Sequence, residues 1–315
     1  MKLAGSWGWV ATTRKPSTTA EADGFVAWPP SEHPVTIRPM TATTRIHLTA
    51  LTVDSPQVTD LTPDTRRHPL DLQQVFNFRD LGGYATSNGR SVAWGRLYRA
   101  DGLNRASDAD VELLRTIGLK TIVDLRTHSE LDEHGTAAAE SLDAHFAHRP
   151  LIDDLWPMDD EARTADPTRY LVERYHEMAD RAEHVLPEII GWVADSPERL
   201  PVVFHCSAGK DRTGVTAAVL LGLAGVDRDT IAADYHLSEI AMEQLVTWVR
   251  AMHPESADSM TDQPPVFLSC PPEAMLTFLH ELESRHGDME GFVRSLGVGD
   301  DVIERYRTNV LTTST

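Results

Sequence analysis

The stretch PVVFHCSAGKDRTGV, residues 201–215, decides the architecture. PVVFHC is a continuous apolar run of the kind that lies in a parallel sheet buried on both faces. It ends at His205, turns over a few residues that include Gly209, and passes around Arg212 into RTGVTAAVLLGLAG, an apolar helix closing on Gly225. A strand that hands over to a helix through a glycine-bearing turn curls backbone N–H groups inward, and the positive end of the helix dipole points at the same spot. That spot wants an anion.

Outward from it the signals alternate. GRLYRA (95–100) and KTIVDLR (120–126) read as short buried strands, joined by a helix that starts near Ser107 with Asp110 three residues on, a capping-box-like spacing. The first unit is therefore β-α-β. Residues 168–195 carry a long helical period broken or kinked near Pro187, and helical stretches follow at 228–252, 272–285 and, in pieces, 288–308. The expected class is α/β: a central, mostly parallel sheet flanked by helices, with a helical C-terminal half. Residues 1–70, rich in Thr and Pro, show no sustained period despite Trp7, Trp9 and Trp28, and read as an irregular extension ahead of a folded domain at 71–315. TATTRIHLTALTVD, just after Met40, has more strand character, which makes Met40 a candidate alternative start.

The chain has 315 residues and a formal net charge of -19. Residues 1–70 hold 7 basic and 6 acidic side chains, leaving 22 and 42 in the body. Such a field repels nucleic acid and anionic membrane surfaces, so an anionic ligand must be captured by local donors. No apolar run reaches the length of a membrane span and MKLAGSWGWVATT is a poor secretory signal, so a soluble cytoplasmic protein without membrane insertion is expected. Two cysteines, Cys206 and Cys270, give no disulfide framework. Lysine occurs only at 2, 15, 120 and 210 in a chain that otherwise writes Arg, which singles out Lys210.

Cys206 opens the turn, where converging amides and the helix dipole favour a thiolate nucleophile. Arg212 reaches back with a planar fork matched to two phosphate oxygens, and Thr213 can donate its hydroxyl to the sulfur. The set describes in-line attack on a phosphate ester, held by Arg212 and the amides around Ser207, Ala208, Gly209 and Lys210, with a cysteinyl-phosphate intermediate and no metal or other cofactor. HC, five residues, R, then T resembles the signature of the cysteine-based protein tyrosine phosphatase superfamily. NFRDLGGY (77–84), GRLYRAD, DLRTHSE (124–130) and HCSAGKDRTG, in that order, resemble its bacterial branch with a Lys-Asp-Arg loop over roughly residues 75–310.

The resemblance implies hydrolysis of phosphotyrosine, with phosphoserine and phosphothreonine as further substrates. Lys210 also resembles phosphoinositide phosphatases, which keeps a phosphorylated lipid as the alternative partner to a phosphorylated protein. A non-hydrolytic phosphate-binding module is the reading from another class, and it has no need of a thiolate.

Two residues compete as the acid that protonates the leaving oxygen. Asp211 lies in the loop, where like charge from a bound phosphate favours its protonated form, though it could equally bond loop amides. The resemblance implies an upstream loop instead: a Pro three residues before it favours Asp153 over Asp154 and Asp159, while the WP pair at 156–157 resembles a mobile acid loop whose Asp position is held by Met158. Arg79 and Asp80 position substrate or form an ion pair supporting the Gly82–Gly83 turn. Asp124 and Arg126, at a strand end facing the crevice, carry the same two readings. His205 is expected to orient Cys206 through the backbone. Cys270 is a spectator or a disulfide partner for Cys206.

Overall fold

The computed structural model describes residues 66–157, 159–252 and 263–313. The extension expected over 1–70, its last five residues excepted, lies outside them, as do the alternative start at Met40 and the reading of Met158.

Five strands form the central sheet: β1 (Arg79–Asp80), β3 (Leu97–Ala100), β4 (Thr121–Asp124), β5 (His145–His148) and β6 (Val202–His205), in the order β1-β3-β6-β4-β5. All neighbours are parallel except β1, which runs against β3. The predicted mostly parallel sheet is thus observed. Strand β2 (Arg90–Val92) pairs with β7 (Leu311–Thr313) in a separate two-stranded sheet.

Alternate residues serve two cores, as the period of a strand demands. Leu97, Val123, Val202 and Phe204 pack into the larger cluster, whereas Tyr98, Ala100, Ile122 and Val203 pack into the smaller one. This is why β6 reads as an unbroken apolar run. The strand inserts between β3 and β4, and the register sets Ala100, His205 and Asp124 side by side at the C-terminal rim. Ligands of open α/β sheets bind outside that rim. Cys206 is the next residue.

Helix α1 (Asp108–Ile117) begins with the expected capping box, Ser107 accepting from the Asp110 amide and Asp110 from the Ser107 amide. Next come α2 (His128–His134), α3 (Ala137–Ser141) and α4 (Asp160–Thr164). The long helical stretch 168–195 is two helices, α5 (Pro167–Asp180) and α6 (Leu186–Asp195). The break falls ahead of Pro187, which sits in the first turn of α6, where its missing N–H costs nothing. Helix α7 (Asp211–Ala224) is buried almost all round and ends at Gly225 in the left-handed conformation, φ 94°. A helix apolar on every side must be enclosed; α7 is covered by the sheet, α5, α8 (Arg228–His236), α12 (Met289–Ser295) and α13 (Asp300–Val310). The remaining helices are α9 (Ser238–Met252), divided from α8 at Leu237, α10 (Pro265–Leu268) and α11 (Pro272–His286). No helix among the described residues is long and apolar enough to cross a membrane.

Candidate active site

Three successive carbonyls of the turn after Cys206 are held from outside. Ser207 O accepts from the Gly102 amide (3.1 Å) and Arg105 (3.1 Å), Ala208 O from Asn77 Nδ2 (3.1 Å), and Gly209 O from Asn77 Nδ2 (3.0 Å) and Arg99 (2.8 Å). With the C=O groups fixed outward, the N–H groups between them are left to face inward, as an anion nest requires. Gly209 makes the turn possible, at φ +67° and so close to β3 that a Cβ would stand 2.6 Å from Ala100 O. The next nearest atoms, Asp101 N at 2.7 Å and Ala100 C at 2.8 Å, are backbone as well, which cannot yield as a side chain tip can. Gly209→Ala is expected to weaken competitive inhibition by inorganic phosphate at least about tenfold, from left-handed strain of roughly 1–2 kcal/mol plus the clash; inhibition kinetics measure it.

Arg212, in the first turn of α7, points its guanidinium at Glu130 in a bidentate pair, NH1 to Oε2 at 2.5 Å and NH2 to Oε1 at 3.0 Å. Glu130 also accepts from the Ser207 hydroxyl (2.5 Å) and the Thr127 amide (2.8 Å). It is the third residue of a second capping box, Thr127-x-x-Glu130, at the start of α2. Burial alone would push its carboxyl up, but the Arg212 charge and these donors hold it at about 2. The same pairing raises the Arg212 pKa against its burial. Two of five guanidinium N–H groups are spent on Glu130, leaving three for an oxyanion.

Asp124 and Arg126 bring this helix into place. Arg126 folds back on Asp124, with NH2 to Oδ2 at 2.6 Å, and donates to the carbonyl of Gly135, the residue that ends α2. Burial would raise the Asp124 pKa; the Arg126 guanidinium, bonded to both carboxylate oxygens, brings it down instead. The pair is internal to the rim, which favours its structural reading.

Under the turn lies a buried triad. Asp234 of α8 receives Arg79 Nε at 3.0 Å and Arg99 NH1 at 2.6 Å. Burial would raise its pKa, and the two guanidiniums lower it well below the carboxylate range. Two cations against one carboxylate leave a net positive charge beneath the loop, part of the answer to how so acidic a body holds an anion. The expected ion pair between Arg79 and Asp80 is corrected: Arg79 belongs to Asp234, while Asp80 accepts from the Gly82 and Gly95 amides, each at 2.7 Å. Asp80 holds the glycine turn together with Arg67, which donates to the Asp80 and Gly82 carbonyls, each at 3.1 Å, and Arg79 is packed beneath the loop.

Lys210 requires a second correction. Its ammonium is fully buried and donates to Asp211 Oδ1 (2.7 Å), Val266 O (3.3 Å) and Ser269 O (3.1 Å), which uses all three donors. It ties the loop to α10 rather than reaching for ligand. Asp211 sits where α7 starts and also accepts from the Tyr175 hydroxyl at 2.8 Å, its side chain 12% exposed. Asp153 is 86% exposed and pairs with Arg181 at 3.3 Å; Asp154 is exposed, and Asp159 caps α4. Geometry thus separates two acids that the sequence left level.

Cys206 is a free thiol, 2% exposed. His205 Nδ1 lies 3.4 Å from Cys206 O and its Nε2 lies 3.8 Å from Asp124, and burial pushes the imidazole towards its neutral form. Thr213 Oγ1 is buried without a hydrogen-bond partner, so the expected bond to the sulfur is not formed. Cys270 is also a free, buried thiol, pushed up to about 12 by burial, and forms no disulfide with Cys206.

Sequence reasoning missed Glu130, Asn77, Arg99, Asp234 and Tyr175. Glu130 was findable from its T-x-x-E spacing and Asn77 lies in the NFRD motif, whereas Asp234 is 155 residues from Arg79 and carries no local signal.

A cysteine one residue past the central parallel strand, an inward-facing amide turn and an arginine fork held by a buried glutamate define the class of cysteine-loop phosphatase domains. Within that class the chain belongs to the tyrosine phosphatase family, whose model matches residues 70–312. It is similar to a Cupriavidus necator protein named "Putative tyrosine-protein phosphatase", at 35% identity over 54% of this chain and 62% of that one. It is also similar to the triple specificity protein phosphatase PtpB of Mycobacterium tuberculosis, at 27% identity over 75% of this chain and 97% of that one. A tyrosine-protein phosphatase of Nostoc commune is 28% identical over 67% of this chain and 73% of that one.

Proposed function

We propose that the chain, with 71–315 as its catalytic domain, hydrolyses phosphotyrosine in proteins through a cysteinyl-phosphate on Cys206. The observation that carries this reading is the Cys206 turn with its carbonyls held outward and Arg212 fixed on Glu130. The substrate phosphoryl group occupies the amides of residues 207–212, with the free Arg212 donors on its equatorial oxygens. The sulfur attacks phosphorus in line; the S–P bond forms as the P–O bond breaks, and the leaving oxygen takes the proton of Asp211. Water then cleaves the S–P bond, returning its proton to the Asp211 carboxylate and releasing phosphate. Asp211 takes this role because it lies in the loop and is mostly buried, while Asp153 stands in solvent.

The family and the named relatives support a protein substrate, and the printed name of PtpB supports a range wider than phosphotyrosine. A cytoplasmic location fits such substrates. Phosphoinositide hydrolysis is the weaker reading, since Lys210 has no donor left for a second phosphate. The test is metal-free turnover, with EDTA present, of a phosphotyrosine peptide beside a phosphoinositide. Faster peptide turnover supports the proposal; faster lipid turnover reverses the order, and no turnover of either returns the chain to a binding module.

The acid is tested separately. Asp211→Asn is expected to lower kcat/KM, which reports transfer to the sulfur, on alkyl phosphates by about 10²-fold or more, and much less on p-nitrophenyl phosphate, whose leaving group needs little protonation. Asp153→Asn is expected to leave both within about twofold, as surface changes do. Steady-state kinetics on the two esters check both, and a selective loss in Asp153→Asn would move the role there.

A further inference from the structure

We infer that Tyr175, supported by Tyr235, is the positioning residue that orients the Asp211 carboxyl and confines its transferable proton to Oδ2. The inference rests on the reading of Asp211 as the acid. Two donors converge on one oxygen of that carboxyl: Tyr175 Oη at 2.8 Å and Lys210 Nζ at 2.7 Å both reach Oδ1. Among the described residues no hydrogen bond reaches Oδ2. An oxygen that accepts two hydrogen bonds, one from a cation, is the poorer site for a proton, so the proton resides on the other.

Tyr175 has a single hydroxyl proton, committed to Asp211. Its oxygen is 2.6 Å from Tyr235 Oη, so Tyr235 is the donor in that contact. The chain of bonds runs Tyr235 to Tyr175 to Asp211. Both tyrosines are essentially fully buried, and burial keeps both phenols protonated, as donors must be. Their rings are fixed from three elements: Tyr175 of α5 meets Tyr235 of α8 edge-on at 6.0 Å and Phe278 of α11 at 5.8 Å. Gly214 of α7 lets Tyr235 in, since a Cβ there would stand 3.1 Å from the ring. Two buried aromatic hydroxyls aimed at the loop are more than packing needs, because phenylalanine would fill the same volume without polar atoms to satisfy.

The test compares kcat/KM across a series of phosphate monoesters, from p-nitrophenyl through phenyl to alkyl, for wild type, Asp211→Asn, Tyr175→Phe and Tyr235→Phe. Inhibition by inorganic phosphate is measured on each. With the acid in place the rate depends weakly on leaving-group basicity, and Asp211→Asn is expected to steepen that dependence. Tyr175→Phe is expected to steepen it in part, losing about tenfold on the alkyl ester and less than about twofold on p-nitrophenyl phosphate. Tyr235→Phe follows in the same direction by a smaller factor. Phosphate inhibition within about twofold of wild type certifies an intact loop.

A steep Asp211→Asn series beside a Tyr175→Phe series parallel to wild type overturns the tyrosine role and spares the acid. A flat Asp211→Asn series overturns the acid reading, and this inference with it. If Tyr175→Phe loses phosphate inhibition, the loop has not folded and Tyr235→Phe decides: a steepened series upholds the role and a parallel one overturns it.

Discussion

Cys206→Ser is expected to lower turnover of a phosphotyrosine peptide by about 10⁴-fold or more while leaving the affinity for that peptide within a few-fold. The exchange of sulfur for oxygen barely alters volume in a site that is 2% exposed, so the turn and its outward-held carbonyls persist. The chemistry does not persist. A serine hydroxyl needs a general base, and His205, the adjacent candidate, has Nδ1 towards the Cys206 carbonyl and Nε2 towards Asp124. Turnover kinetics and calorimetric binding of the peptide to the variant check the pair of outcomes. Loss of binding together with activity would make Cys206 a structural residue.

Glu130→Gln is expected to reduce kcat/KM by about 10²–10³-fold, the scale of losing a preorganised oxyanion donor. The carboxylate takes two guanidinium N–H bonds from Arg212 on two oxygens; an amide keeps one acceptor and turns an N–H against the fork. Arg212 is then a buried cation without its counter-charge, and breaking such a pair costs about 3–5 kcal/mol. The pH dependence of stability carries the same signature. Glu130 titrates at about 2 in the fold against an ordinary 4.5, so its contribution is present above about 4.5 and is lost as pH falls through about 2. Across that window the variant is expected to show a shallower loss of stability than wild type, read from denaturant unfolding at stepped pH. Parallel curves would show that the Glu130–Arg212 pair does not stabilise the fold.

What the sequence made legible was whatever depends on neighbours along the chain. The β6–turn–α7 unit was readable because burial on both faces leaves an apolar run and a short turn forces its amides together, and the Ser107–Asp110 box because a helix start is a local event. Cys206, Gly209 and Arg212 fall within one such unit. The supports of the turn come from elsewhere: Asn77 before β1, Arg99 on β3, Glu130 on α2, Asp234 on α8. Only folding brings them together. Lys210 shows the limit most clearly, since its rarity marked it for a role but not its direction, and the direction is set by carbonyls 56 and 59 residues away. Asp211 and Asp153 were level in sequence for the same reason, because exposure separates them and exposure is a property of the fold.

The mechanism turns on the covalent phosphoryl group on Cys206, and trapping that group is its most direct test. Wild type and Asp211→Asn are mixed with p-nitrophenyl phosphate, quenched within milliseconds in denaturant at neutral pH, digested and mapped by mass, with Cys206→Ser as the control. One phosphoryl group is expected on the Cys206 peptide, more abundant in Asp211→Asn because the water that clears it has lost its base, and none in Cys206→Ser. A burst of p-nitrophenol with Cys206 unmodified, or a phosphoryl group on any other side chain, would contradict the mechanism.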